Sequence, residues 1–207
     1  MKPVFVVACA CLCAAASPQP PPEALRQTRM PFTAADGDRF AVKYAAVVGR
    51  PAVPTGQRRK PVQTIVTEPE INGYLRYRGQ EVLPVGVIEP YVFVLGDGRL
   101  SGVATVDLDA VRLSKPRGML DPAQLLRGRV PVTATGVLRS KSGEFRFELE
   151  SATVAGLDVP KSLLQELVSY YTKTASNPDG YTLDAPFAIA GGVRDITVES
   201  KRAVIIQ

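Results

Sequence analysis

Three carboxylate pairs are the groups in this chain best spaced for acid–base chemistry. Asp107 and Asp109 lie two apart in an extended stretch and so share a face. Glu68 and Glu70 open a helix, and Asp179 and Asp184 flank Tyr181. Two carboxyls held together can divide one proton, which is how paired acids serve hydrolases. The bland reading of each is stronger. The first pair reads as an exposed strand end, the second as a helix-capping device beside a positive helix terminus, and the third as loop acids.

The rest of the composition argues the same way. The chain has no histidine, and its three cysteines stand at positions 9, 11 and 13. The commonest general base, metal ligand and thiol nucleophile are therefore missing from positions 14 to 207. "GDG" at 96–98 has no following helix or lysine and is a turn rather than a phosphate loop, and no G-x-S-x-G elbow occurs. A non-enzymatic protein without metal or cofactor is expected. The remaining catalytic alternative is an unrecognised hydrolase built on a carboxylate or Ser/Lys pair.

Charge excludes one partner class and admits another. The 25 Lys and Arg outnumber the 20 Asp and Glu, for a formal charge of +5, yet the cations are scattered apart from Arg58-Arg59-Lys60. A nucleic-acid reader concentrates them on one face or carries a known module, so no nucleic-acid partner is expected. Weak attraction to an anionic membrane surface remains open.

The first residues read as a targeting leader. Lys2 gives a positive start, Val4 to Cys13 an apolar run, and Ala14-Ala15-Ala16 a small-residue cleavage site. Residues 1–16 are then a signal peptide, too short in its apolar part to span a bilayer. Val6-Val7-Ala8-Cys9 resembles a lipoprotein recognition box, so lipid anchoring through Cys9 stands beside simple cleavage. Either reading exports the protein to the periplasm or cell envelope. Residues 17–30, beginning "SPQPPP", read as a proline-rich spacer, and 31–207 as one domain; the whole chain, 45% apolar and 22% charged, has ordinary globular composition.

The elements within that domain follow from local signals. "FAVKYAAVVG", inside the poorly legible stretch 23–62, suits helix or strand, and Pro51 to Pro61 is a loop. Thr67 and Glu70 form a capping box with Pro69 in the first turn, predicting a short helix over 67–79. Hairpins are expected around Gly96–Gly98, Ser140–Gly143 and Ser200–Arg202. A helical turn is expected from Asp121 to Gly128. The main amphipathic helix spans 159–174, with Leu163, Leu164, Leu167, Val168 and Tyr171 on one stripe, and "SNPDG" ends it. The expected fold is α+β: a curved antiparallel sheet of consecutive hairpins packed against helices 159–174 and 67–79.

Strand composition supplies the functional expectation. "EFRFELES" alternates and is wet on one face, whereas "YVFVL" is apolar throughout and covered on both. Gly102, Ala104, Ala134 and Gly136 are small and leave room over the sheet. The main helix can fill that room, or helix and sheet can enclose an apolar groove for a lipid chain. The groove candidates are Leu164, Leu167, Val168 and Tyr171 on the helix, with Tyr91, Phe93, Val103 and Phe187 on the sheet.

The order of parts, "TEPEINGYLR", "VFVLGDGRLSGVATVDLD", "GVLRSKSGEFRFELESATVAGLDVPKSLLQEL" and "LDAPFAIAGGVRDITVES", resembles small exported bacterial envelope proteins. Their helix–sheet pattern is similar to half of a tubular lipid-binding domain of the permeability-increasing type. The resemblance runs from about 64 to 207. It implies a long helix wrapped by a curved sheet, with an apolar groove suited to acyl chains, and transfers no catalytic residue. The expected function is lipid or amphiphile binding in the cell envelope; the alternative is an envelope assembly protein with a dry core. Oligomeric state has no signature in the sequence.

Overall fold

The computed structural model describes residues 28–51, 60–79, 83–113, 128–141, 143–172, 178–180 and 182–207. The expected leader, the "SPQPPP" stretch, most of the Pro51–Pro61 loop and nearly all of the Asp121–Gly128 helical turn lie outside them. The fold is α+β, with a curved, unclosed six-stranded antiparallel sheet and a separate three-stranded sheet.

The stretch that suited helix or strand is the longest described helix, α1 (Ala34–Val48). Its start settles the ambiguity. Thr33 Oγ1 accepts the Asp36 N–H, and Asp36 Oδ2 accepts the Thr33 N–H at 2.7 Å, a complete capping box. Strand β1 (Gln63–Thr67) leads directly into α2 (Glu68–Tyr77). Thr67 is the N-cap of α2, and its N–H donates to Glu70 at 2.9 Å, as the sequence predicts. Helices α1 and α2 cross where two glycines meet. A Cβ placed on Gly37 would lie 2.6 Å from the Gly73 carbonyl oxygen, so only bare backbones permit this approach.

The main sheet has the order β2 (Val87–Gly96), β3 (Arg99–Asp107), β4 (Arg129–Lys141), β5 (Glu144–Val154) and β6 (Leu157–Asp158), with β7 (Phe187–Ala188) also pairing with β5. Asp97 and Gly98 both take positive φ, +52° and +80°, which a two-residue hairpin turn with right-handed strand twist requires. A short helix, α3 (Leu108–Leu113), follows β3 without interruption because Asp107 Oδ1 accepts the N–H groups of Asp109 and Ala110. The second sheet pairs β1 with β9 (Arg202–Ile206) and β9 with β8 (Asp195–Glu199), so its hairpin falls where expected.

The last helix, α4, is described over Lys161–Thr172 and begins two residues later than expected, while the expected end at 174 lies outside the described residues. The Val159 N–H bonds the Ala152 carbonyl, which keeps that residue with the β5–β6 corner. It is also not the dominant packing helix. It touches β5, whereas α1 packs along α2, and α2 lies against β2. Helix α2 is anchored to β2 by polar side chains, Glu68 and Asn72, that a reading of apolar stripes passes over. No described helix is long and apolar enough to cross a membrane.

Two apolar clusters hold these layers. Val47 of α1, Phe145 of β5 and Val193 join, with Leu138, Ile189, Ile196 and Ile205 around them, so the small sheet and α1 cover one end of the main sheet. Tyr91, Phe93 and Val103 form the other, against Phe32 and Leu95.

Candidate functional site

Strand register divides the sequence-derived groove. Tyr91 pairs with Val103 and Phe93 with Ser101, and these continue to Thr133 and Thr135 on β4. Residues paired across an antiparallel ladder share a face. Tyr91, Phe93 and Val103 are therefore together, in a closed cluster with Ser101, Thr133 and Thr135 on the same side, all buried. The Ser101 and Thr135 hydroxyls bond each other at 2.7 Å. Phe187 stands elsewhere, on β7, with its ring 6.1 Å from that of Phe145. Leu164, Leu167, Val168 and Tyr171 belong to α4, whose neighbour in the sheet is β5; Leu164 and Val168 are half-buried. The side chains of Leu167 and Tyr171 lie outside the described set.

The small residues occupy the opposite face. Val92 pairs with Gly102, Gly102 with Ala134, and Ala134 with Ala152. One row toward the hairpin turns runs Val94, Leu100, Gly136 and Leu149; one row away runs Ala104, Val132, Val154 and Leu157. Every side chain in these rows is apolar. At the turn end the face is filled: the Phe147 ring lies over Gly136, where an added Cβ would sit 2.7 Å from it, and Leu138 and Phe145 meet the small sheet. Over Gly102, nothing among the described residues lies within 4 Å of an added Cβ. Leu157, which extends the outer row, is 73% exposed. The room that small residues suggest is present, but on the side away from Tyr91, Phe93 and Val103.

A polar cluster that the sequence reading took for a capping pair is more deeply placed than either of these. Glu68, with no exposed surface, accepts the Tyr91 hydroxyl at 2.8 Å through Oε1 and the Val94 N–H at 2.8 Å through Oε2. Lys201 reaches both oxygens at 3.3–3.4 Å. The Tyr91 oxygen also accepts the Met30 N–H at 2.7 Å, and the Arg29 guanidinium sits over its ring. Residues 29 and 30, assigned by the sequence to the spacer, are thus packed onto the domain. Burial first, and then the bond to Glu68, push the Tyr91 phenol up to about 12. Asn72, fully buried one turn on, donates to the Val92 carbonyl at 2.9 Å and accepts the Val92 N–H at 2.7 Å.

The other acids are likewise engaged. Burial works to raise the Glu70 carboxyl, but Lys43 at 2.7 Å and the Thr67 N–H outweigh it and hold it below its ordinary range. Asp107 is lowered chiefly by the Ala110 N–H, with Arg129 assisting, and Asp109 accepts the Gly128 N–H at 3.0 Å. Asp184 is lowered first by Lys161 and also by the Leu149 N–H. Each carboxylate works as an acceptor for neighbouring backbone and cations. Among the described residues no three acids are grouped to hold a metal ion.

Comparison with protein-family models, with curated proteins and with solved structures finds no match to this chain.

Proposed function

We propose that this protein is a non-catalytic binder of lipid or another amphiphile, working in the cell envelope and holding hydrocarbon on the Gly102 face of its main sheet. What carries this reading is a single observation: an all-apolar sheet face, closed by Phe147, Leu138 and Phe145 at one end, has nothing over Gly102 among the described residues and ends at an exposed Leu157. Four strands set the width of the row through Gly102 at roughly 14 Å, from the usual spacing of about 4.8 Å. An acyl chain gains about 0.8 kcal/mol for each methylene it buries, so the length of chain laid along this row sets the affinity.

Gly102 makes the test clean. Its backbone is not in the left-handed region, and an added Cβ meets nothing within 4 Å among the described residues, so Gly102→Phe is expected to fold. The parent protein should co-purify with lipid visible by native mass spectrometry. Added phospholipid should raise its stability, by about 2.7 kcal/mol at a hundredfold excess over Kd. The Gly102→Phe protein should keep its circular dichroism and lose that rise. A parent protein that purifies bare and shows no lipid-dependent shift would sink the proposal and leave the envelope assembly protein as the better reading.

A further inference from the structure

Among the described residues the outer strand of the main sheet has no strand paired beside it, yet the outward backbone groups of its Val92 and Val94 are engaged. Strand β2 ends the order β2-β3-β4-β5-β6. An unpaired strand edge is a template for another chain, and proteins blunt such edges by several devices. Three are present here in series. Pro90, lacking an N–H, stands at a register shift between Ile88 and Tyr91 beside Glu89, whose φ is +50°. Next, Asn72 takes both backbone groups of Val92, donating at 2.9 Å and accepting at 2.7 Å, the exchange a neighbouring strand would make. Then Glu68 accepts the Val94 N–H at 2.8 Å while the Lys201 N–H donates to the Val94 carbonyl at 2.8 Å.

We propose that Glu68 and Asn72, four residues apart on one face of α2, are a side-chain substitute for the missing strand, and that they keep β2 from pairing with β2 of a second copy of this chain. Their spacing suits the task. Residues at i and i+4 on a helix lie one above the other about one turn apart, near the two-residue repeat along a strand, so the pair reaches Val92 and Val94 in turn. Both side chains are also tied down. Asn72 Nδ2 donates to the Glu68 carbonyl, and Tyr91 and Lys201 hold the Glu68 carboxylate. This role is independent of what the apolar face holds.

The test removes the substitute without opening a cavity. Asn72→Leu keeps the branching at Cγ but is larger, so it presses α2 away from β2 rather than leaving a void, and it frees both backbone groups of Val92. We expect the folded variant to associate with rising concentration, by light scattering, beyond the parent protein. Val92→Pro added to it should restore the parent's behaviour, because proline removes the outward N–H and spares the ladder to β3. A folded Asn72→Leu protein that associates no more than the parent, or whose association Val92→Pro leaves unchanged, would overturn the proposal. Should Asn72→Leu fail to fold, the parent chain decides. Its Val92 and Val94 amides should exchange hydrogen on the order of 100-fold more slowly than open-edge amides. Exchange at open-edge rates overturns the substitute outright.

Discussion

Tyr91 shows how far one residue's role departs from its type. By composition it is one apolar position among five in "YVFVL"; in the fold its hydroxyl is shared between Glu68 and the Met30 N–H. Tyr91→Phe leaves a buried acceptor short of a donor and a backbone donor without its acceptor, so chemical denaturation should show a loss of about 1–3 kcal/mol. The phenol also ties stability to pH. Its folded value, about 12, lies above the ordinary 10. The folded state holds the proton longer, so this contribution is complete below pH 10 and disappears as pH rises from 10 to about 12. Tyr91→Phe should show a shallower fall across that window than the parent. Glu68 could not have been read as buried, because "TEPE" at a helix start carries the ordinary signature of acids complementing a dipole. What buries it comes from positions 91, 94 and 201, far along the chain.

Elements were legible where a local signal fixes them. The capping box at Thr67, the turns at Asp97 and Ser200 and the α2 helix need only neighbours in sequence, and all occur where expected. Helix α1 was ambiguous because alanine and valine runs satisfy both periods; Thr33 and Asp36, which decide it, precede the apolar run. The register across strands was the larger loss. Read from sequence, Tyr91, Phe93 and Val103 group with the space over small residues such as Gly102 and Ala134, but odd and even positions fall on opposite sides of the sheet. Two glycines illustrate the difference between elements. Gly37→Ala drives a methyl into the Gly73 backbone and should cost about 1–3 kcal/mol by overpacking. Gly102→Ala enters open space on an extended strand and should stabilise by about 0.5–1 kcal/mol through lost chain entropy. Urea midpoints moving in opposite directions, with unchanged slopes, would bear this out; a shared direction would not.

At the scale of the whole molecule, the two sheets meet around one aromatic side chain. Phe145 is fully buried between Val47 of α1 and Val193, just before the small sheet, so it joins parts that no hydrogen-bond ladder connects directly. Phe145→Ala should cost about 3–5 kcal/mol in equilibrium unfolding. A loss below about 1 kcal/mol would mean that the sheets are held together elsewhere. α+β architecture and its hairpins were readable from the sequence. The division into two sheets was not, since β1 finds its partner β9 only after the entire main sheet has intervened.

The ion pair between Glu68 and Lys201 spans 133 positions. A ribosome adds residues at about 5–20 per second, so roughly ten seconds separate synthesis of the carboxylate from that of its ammonium. Through that interval α2 and β2 can meet while the Val94 carbonyl and one side of the Glu68 headgroup still face water. The nascent protein therefore passes through a stage whose border is shielded at Val92 and at the Val94 N–H but bare at the Val94 carbonyl, and the final hairpin seals it. A chain stalled before Lys201 should be the form that chaperones hold longest.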